Sequence, residues 1–262
     1  MTKSSLNELR AAAAQGPPYD PALLAALRSD ERAGAQALYA ACLRRQARAQ
    51  SEEDRLDAML DIEREAWRNG FARVAGVDEA GRGPLAGPIV AAAVVLARPV
   101  PGLNDSKLLT PAQRESLFAR LHEEEHQIGA AVVEAAEIDR HGIQSANYAA
   151  MARAVAALHP APDFLLVDGF EIRGCPVPQK PVVKGDRRSQ SIAAASIVAK
   201  VTRDRIMDGL DGRFPGYGFA RHKGYATRDH LAAIGRLGPC PAHRRSFAPL
   251  SDSSDASLLF QQ

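Results

Sequence analysis

Cysteine is scarce in this 262-residue chain, and its three copies, Cys42, Cys175 and Cys240, lie far apart without a Cys-x-x-Cys pair. That odd, scattered set argues against a disulfide framework and against a four-cysteine zinc site. Long apolar runs are missing too: nothing approaches the roughly 20 continuous apolar residues that cross a bilayer. The opening MTKSSLNELR has neither the apolar core nor the cleavage site of a signal peptide. A reducing, cytoplasmic setting with no membrane partner is expected, and a monomer, since no long apolar stripe is left over once a core is assigned. There is no internal repeat. What is present, 46% hydrophobic and 24% charged residues, is the composition of a globular protein of one or two domains, at about 150 residues each.

The net charge of +2 conceals a segregation: residues 71–171 carry −5 and residues 172–245 carry +10. Basic side chains neutralise backbone phosphates, whereas clustered carboxylates repel them unless metal cations intervene. Solvated helix faces would produce the same asymmetry, so charge alone does not decide for a nucleic-acid partner.

Residues 1–68 read as an N-terminal helical extension, broken at Gly16-Pro17-Pro18, with one amphipathic helix expected over Asp54–Trp67. Nothing in it suggests chemistry. From residue 71 short apolar runs take over, FARVAGVDEA and PIVAAAVVLA, which read as neighbouring strands. A helix opening at Thr110-Pro111, a strand over 127–133, a helix over 144–158, a strand at 164–167 and a helix over 191–207 follow. Strands followed by strand and helix alternation predict an α/β domain over residues 69–245, a mixed sheet flanked by helices with a C-terminal helical part. Residues 246–262, ending SDSSDASLLFQQ, read as a flexible tail.

Two apparent motifs lose their force in context. Gly81-Arg82-Gly83-Pro84-Leu85-Ala86 fits a dinucleotide fingerprint, which must open a helix, yet a proline and a strand follow. His122 to His126 fits a zinc motif but lies at the tail of a helix in a run of three glutamates.

The carboxylates carry more. Asp78 and Glu79 end an apolar strand, where adjacent acids are costly unless a cation shares them. Asp168 ends a second strand, and strand ends are where ligands gather in α/β sheets. Asp186 precedes the helix that starts near Ser191. Each acid alone reads equally as a cap, a turn or a surface ion pair, whereas together these oxygen ligands suit Mg²⁺ or Mn²⁺ better than zinc.

The segment Gly76-Val-Asp-Glu-Ala-Gly-Arg-Gly-Pro-Leu-Ala-Gly-Pro88 resembles the signature of bacterial ribonuclease HII, and Asn104–Leu108, Leu166–Gly169, Val183–Asp186, Ser191–Lys200 and His222–Tyr225 follow in the family's order. The resemblance spans about residues 65–245. It implies a ribonuclease H-like fold and an endonuclease cutting the RNA strand of RNA/DNA hybrids and beside single ribonucleotides in duplex DNA. Asp78, Glu79, Asp168 and Asp186 would be the catalytic, metal-binding acids of a two-metal site. Gly81, Arg82 and Gly83 would read the ribonucleotide, with Tyr225 stacking on the following deoxyribose. Lys107, Lys184, Arg187, Arg188, His222 and Lys223 are candidates for phosphate contact. Ser191, Ser196 and Lys200 read as packing under the site, and Asp105 as a turn former. Contact with a replication or repair protein belongs to the same expectation.

Overall fold

The computed structural model describes residues 5–251. The chain divides into two compact units, meeting in sequence between Ala58 and Met59. The first holds helices α1 (Leu6–Ala13), α2 (Pro21–Ser29) and α3 (Ala33–Ala58). Ser5 and Glu8 close a reciprocal cap on α1, and Asp20 caps α2 with Pro21 in its first turn. Leu9, Tyr19, Leu27, Ala35 and Cys42 form its core.

The helix expected over Asp54–Trp67 is interrupted: α3 ends at Ala58 and α4 runs Asp61–Arg68. The apolar pair Met59 and Leu60 continues the amphipathic stripe, which hides the break from periodicity. Both residues are buried, and the Met59 carbonyl accepts a hydrogen bond from Gln190 N at 3.0 Å instead of extending the helix.

The second unit is built on a five-stranded sheet, β1 (Val74–Ala80), β2 (Ile89–Val95), β3 (Gln127–Val133), β4 (Phe164–Asp168) and β5 (Gln179–Val182), in the order β3-β2-β1-β4-β5. The strands β3, β2 and β1 pair antiparallel, while β1-β4 and β4-β5 are parallel, so the sheet is mixed as expected. Helices α5 (Pro111–Glu123), α6 (Ala135–His141) and α7 (Ile143–Ala156) lie between β2 and β4 in the chain, with α8 (Gln190–Arg213), α9 (Phe219–His222) and α10 (Arg228–Leu237) after β5. Thr110 and Gln113 form the predicted capping box on α5.

The sheet is covered on both faces. Ala75, Val77, Ile89, Ala91 and Ala93 pack with Ala150, Met151 and Ala154 of α7. On the other face β1 meets α8 so closely that a Cβ on Gly76 would stand 2.1 Å from the Ser191 carbonyl carbon. A glycine is required there, and the fully buried small residues Ala193–Ala195 supply the matching surface of α8. Of the expected tail, Ser246–Ser251 are described: Ser246 donates to Asp139 and Phe247 packs on the core. Residues 252–262 lie outside the described part.

Candidate active site

Parallel pairing sets Val77 of β1 beside Val167 of β4, so Asp78 and Asp168 emerge side by side where the β1-β4 pairing ends, Asp78 still within β1 and Asp168 at the last residue of β4. Strand alternation then sends the adjacent acids to opposite faces. Asp78 turns toward α8, where the Ser196 hydroxyl bonds it, and Glu79 toward α7, where Asn147 faces it. Asp78, Glu79, Asp168, Lys107, Lys200 and Tyr225 line a cavity of about 190 Å³.

Burial pushes the Asp78 carboxyl well above the usual range, and repulsion from Glu79 and Asp168 adds to it. Burial raises Glu79 as well, against the pull of Arg82, whose Nη1 lies 3.5 Å away. The Glu79 Oε2 atom is buried with no hydrogen-bond partner. Among the described residues no three His, Cys, Asp or Glu side chains form a ready ligand shell.

Asp186 sits in a 3-10 turn, Gly185–Arg187, held against β4 by Gly185 N donating to Asp168 Oδ1 at 2.7 Å. Burial raises Asp186, with Asp105 and Asp168 adding to the effect and Lys107 opposing it from 4.0 Å. Asp105 is a brace: it accepts Lys107 N at 2.9 Å and the Arg187 guanidinium at 2.7 Å. Burial alone would raise Asp105, but these donors outweigh it and hold its carboxyl below the usual range.

The Gly81–Pro88 loop is fixed by two arginines that sequence reasoning missed. Arg244 donates to the carbonyls of Gly81 at 2.6 Å, Arg82 at 3.0 Å and Gly87 at 2.9 Å. Arg203 donates to Pro88 at 2.9 Å, Ala86 at 3.1 Å and Lys223 at 3.1 Å. Both are essentially fully buried. Burial pulls Arg244 down to about 9, still far enough above neutrality to keep its charge, and carbonyl dipoles stand in for the lost water. Sequence offers no signal for either one: Arg203 stands in the charged stretch Lys200–Arg205 and Arg244 belongs to an Arg-Arg pair, and both read as solvated charge.

The two loop glycines differ. A Cβ on Gly81 (φ +99°) would fall 2.1 Å from Arg203 Nε, whereas one on Gly83 would meet nothing within 4 Å. Arg82 is oriented by Gln144, which accepts its Nη2 at 2.9 Å, and by the Phe170 ring at 5.1 Å.

The candidates for phosphate contact separate by placement. Lys107, Lys184, Arg187 and Arg188 are exposed, although Arg187 already pairs with Asp105. Lys223 is turned onto α8, bonded to Asp208 and to the Asp204 carbonyl. His222 departs from the expectation. The residue is 8% exposed, Nε2 donates to the Tyr217 carbonyl at 2.8 Å and Nδ1 accepts from Gly224 N at 3.2 Å, leaving no nitrogen for a phosphate. Tyr225, by contrast, is 48% exposed at the cavity wall. The expected packing serines also have partners: Ser196 bonds Ser106 at 3.0 Å, and Ser191 bonds Glu63 at 2.8 Å.

A mixed sheet with acids at the ends of two central parallel strands, a cationic wall and a backbone-pinned glycine loop defines a metal-dependent nuclease of the ribonuclease H fold. The sequence profile of Ribonuclease HII matches residues 75–250, and that of the Ribonuclease HII N-terminal domain matches residues 5–67. The chain belongs to the Ribonuclease HII family. It is 54% identical to "Ribonuclease HII" of Geobacillus thermodenitrificans over 229 residues, 87% of this chain and 88% of that one. The crystal structure of ribonuclease H2 from Pyrococcus horikoshii superposes with a TM-score of 0.59 at 28% identity, covering 69% of this chain and 96% of the other. Ribonuclease HIII from "Bst", crystallised in complex with Mn²⁺, shares the fold at a TM-score of 0.54 and 22% identity, over 71% and 70% of the two chains. The chain is therefore a divalent-metal-dependent endoribonuclease with ribonuclease H activity.

Proposed function

We propose that the chain hydrolyses the RNA strand of RNA/DNA hybrids and incises on the 5′ side of single ribonucleotides in duplex DNA, with Asp78, Glu79, Asp168 and Asp186 as its metal-binding acids. The observation that carries this is the cavity itself, in which Asp78, Glu79 and Asp168 share a wall with Gly81, Lys200 and Tyr225. The donor set fits the metals: all four are hard oxygen ligands, one of them an unpartnered buried oxygen, and burial with mutual repulsion raises Asp78. Mg²⁺ and Mn²⁺ fit equally. Two such ions, when bound, supply an activated water in line with the phosphorus and neutralise the departing 3′ oxygen, leaving 5′-phosphate and 3′-hydroxyl ends.

The protein's own contribution is position and charge. Lys107 and Lys200, the latter paired with Asp204 at 2.7 Å, stand at the cavity wall, and Lys184 and Arg188 are exposed on either side of Asp186 in the chain. Open space beside Gly83 lets a ribose approach the loop backbone, which Arg244 and Arg203 hold rigid, so that a 2′-hydroxyl is met by fixed groups. Tyr225 offers a ring for the next sugar, where an added hydroxyl would clash, favouring an RNA-to-DNA junction. The substrate implies the setting: ribonucleotides enter DNA during synthesis, so the enzyme works in the cytoplasm beside replication or repair proteins. The exposed large apolar side chains of the catalytic unit include Leu108 and Val183, each in a loop, and Val132 on β3, and a monomer is the state we expect.

The test is cleavage of duplex DNA carrying one ribonucleotide, with Mg²⁺, Mn²⁺ or EDTA, beside an all-DNA control and Asp78→Asn. Metal-dependent cutting 5′ of the ribonucleotide, reduced at least about a hundredfold in the variant, is expected. Cutting confined to long hybrids removes the single-ribonucleotide activity, and binding without cutting in any metal overturns the proposal.

A further inference from the structure

Behind Tyr225 lie three histidines that the metal site does not use: His222, His230 and His243 are 8%, 0% and 2% exposed. His222 and His230 stack with ring centroids 4.3 Å apart, and Phe219 meets the His230 ring edge-on with centroids 5.5 Å apart. Their hydrogen bonds leave one proton arrangement. Cys240 N donates to His243 Nδ1 at 2.9 Å, closer than the Cys240 carbonyl at 3.3 Å, which puts that ring's proton on Nε2. His243 Nε2 faces His230 Nε2 at 3.1 Å, so the second nitrogen must be bare. The His230 proton is then on Nδ1, which donates to the Tyr225 carbonyl at 2.9 Å. His222 carries its proton on Nε2, toward the Tyr217 carbonyl, and its own carbonyl accepts Tyr225 N at 3.0 Å. Each bare nitrogen faces an N–H, so a second proton on any ring would meet a donor.

The Tyr225 carbonyl thus accepts from the His230 ring as well as from Thr227 N at 2.8 Å, and the Tyr225 N–H closes a turn on the backbone carbonyl of His222. The neighbouring Gly224 carbonyl accepts Leu85 N at 2.9 Å, and a Cβ on Gly224 would fall 2.3 Å from the Ala86 oxygen. The tyrosine is exposed, but the peptide that aims it is clamped between the glycine loop and the histidines.

We propose that His243 and His230 form an uncharged relay that positions Tyr225, and through it sets the preference for an RNA-to-DNA junction over a continuous hybrid. The histidines are positioning residues that touch no substrate. The proposal rests on the junction-reading role given to Tyr225 above, and the experiment separates the two.

Cleavage of single-ribonucleotide duplex and of continuous hybrid is compared in wild type, Tyr225→Ala, His230→Ala, His230→Asn and the double variant His230→Ala/Tyr225→Ala. The Asn amide nitrogen falls near the place of Nδ1 and keeps the donor to the Tyr225 carbonyl. His230→Ala is expected to lower the junction-to-hybrid ratio about five- to tenfold, the effect of losing one buried hydrogen bond. His230→Asn keeps the ratio within about twofold, and the double variant falls no further than Tyr225→Ala, because the two act as one unit. Independently of folding in the variants, ¹⁵N–¹H correlation of the imidazoles in the native protein is expected to find protons on Nδ1 of His230 and Nε2 of His222 and His243 at neutral pH. A proton on Nε2 of His230, a doubly protonated ring, equal loss on both substrates, or an effect additive with Tyr225→Ala overturns the relay. If Tyr225→Ala leaves the ratio unchanged, the junction-reading role fails and the proposal falls with it. Additivity with an intact Tyr225 effect removes the relay alone.

Discussion

At the scale of single residues, the two glycines of one loop have separate reasons to lack a side chain. Gly81 is held by the protein, since a Cβ would strike Arg203 and the Pro88 carbonyl. Gly83→Ala is expected to leave the melting temperature within about 1 °C and to reduce incision at an embedded ribonucleotide, while Gly81→Ala lowers the melting temperature by several degrees. Thermal denaturation beside the cleavage assay separates the two. Asp78 carries the opposite tension. Its raised carboxyl means that ionisation costs the fold energy when no cation is present. Asp78→Asn is therefore expected to melt higher than wild type in EDTA at pH 7, by about 2–4 °C for each kcal/mol of repulsion relieved, and to lose that advantage once divalent metal is added. An Asp78→Asn protein that melts lower in EDTA contradicts the electrostatic account.

At the scale of elements, α4 belongs with the catalytic unit. Glu63 of α4 is buried and accepts the Ser189 hydroxyl at 2.6 Å, the Ser191 hydroxyl at 2.8 Å and Ser191 N at 3.0 Å, closing the N-terminus of α8. A chain beginning at Met59 is expected to keep its fold and its metal-dependent cutting, whereas one beginning at residue 69 loses this cap and melts several degrees lower, which calorimetry on the two fragments decides. The elements legible in sequence were those with a long apolar run or a capping pair: β1 to β4, α5, α7 and α8. The strand Gln179–Val182 escaped because it is short, polar and contains a proline, and it is recruited by its parallel neighbour. The break at Met59-Leu60 escaped because both residues sustain the helical stripe. In the site, acids that end apolar runs announce themselves, while arginines that bind carbonyls follow no spacing.

At the scale of the whole molecule, two sets of buried groups answer acid with opposite signs. His230 and His243 are held below the ordinary histidine range by burial, His243 to about 4. Unfolded histidine takes its proton near 6.5, so their contribution to stability is present above that value and is lost as pH falls toward 4. Asp78, Glu79 and Asp186 are raised, and protonating them relieves repulsion, so they favour the fold as pH falls. In EDTA, His243→Asn is expected to flatten the decline in melting temperature between pH 6.5 and 4, and Asp78→Asn to steepen it. Equal slopes in wild type and both variants refute this balance.

The arginine clasp also bears on time. The Gly81 carbonyl is gripped by Arg244, 163 residues further along the chain. During synthesis the acids of both central strands emerge long before that grip is available, so the loop stays slack until the stretch around Arg244 is made. Cutting competence should arrive abruptly, with the last stretch of the catalytic unit to leave the ribosome.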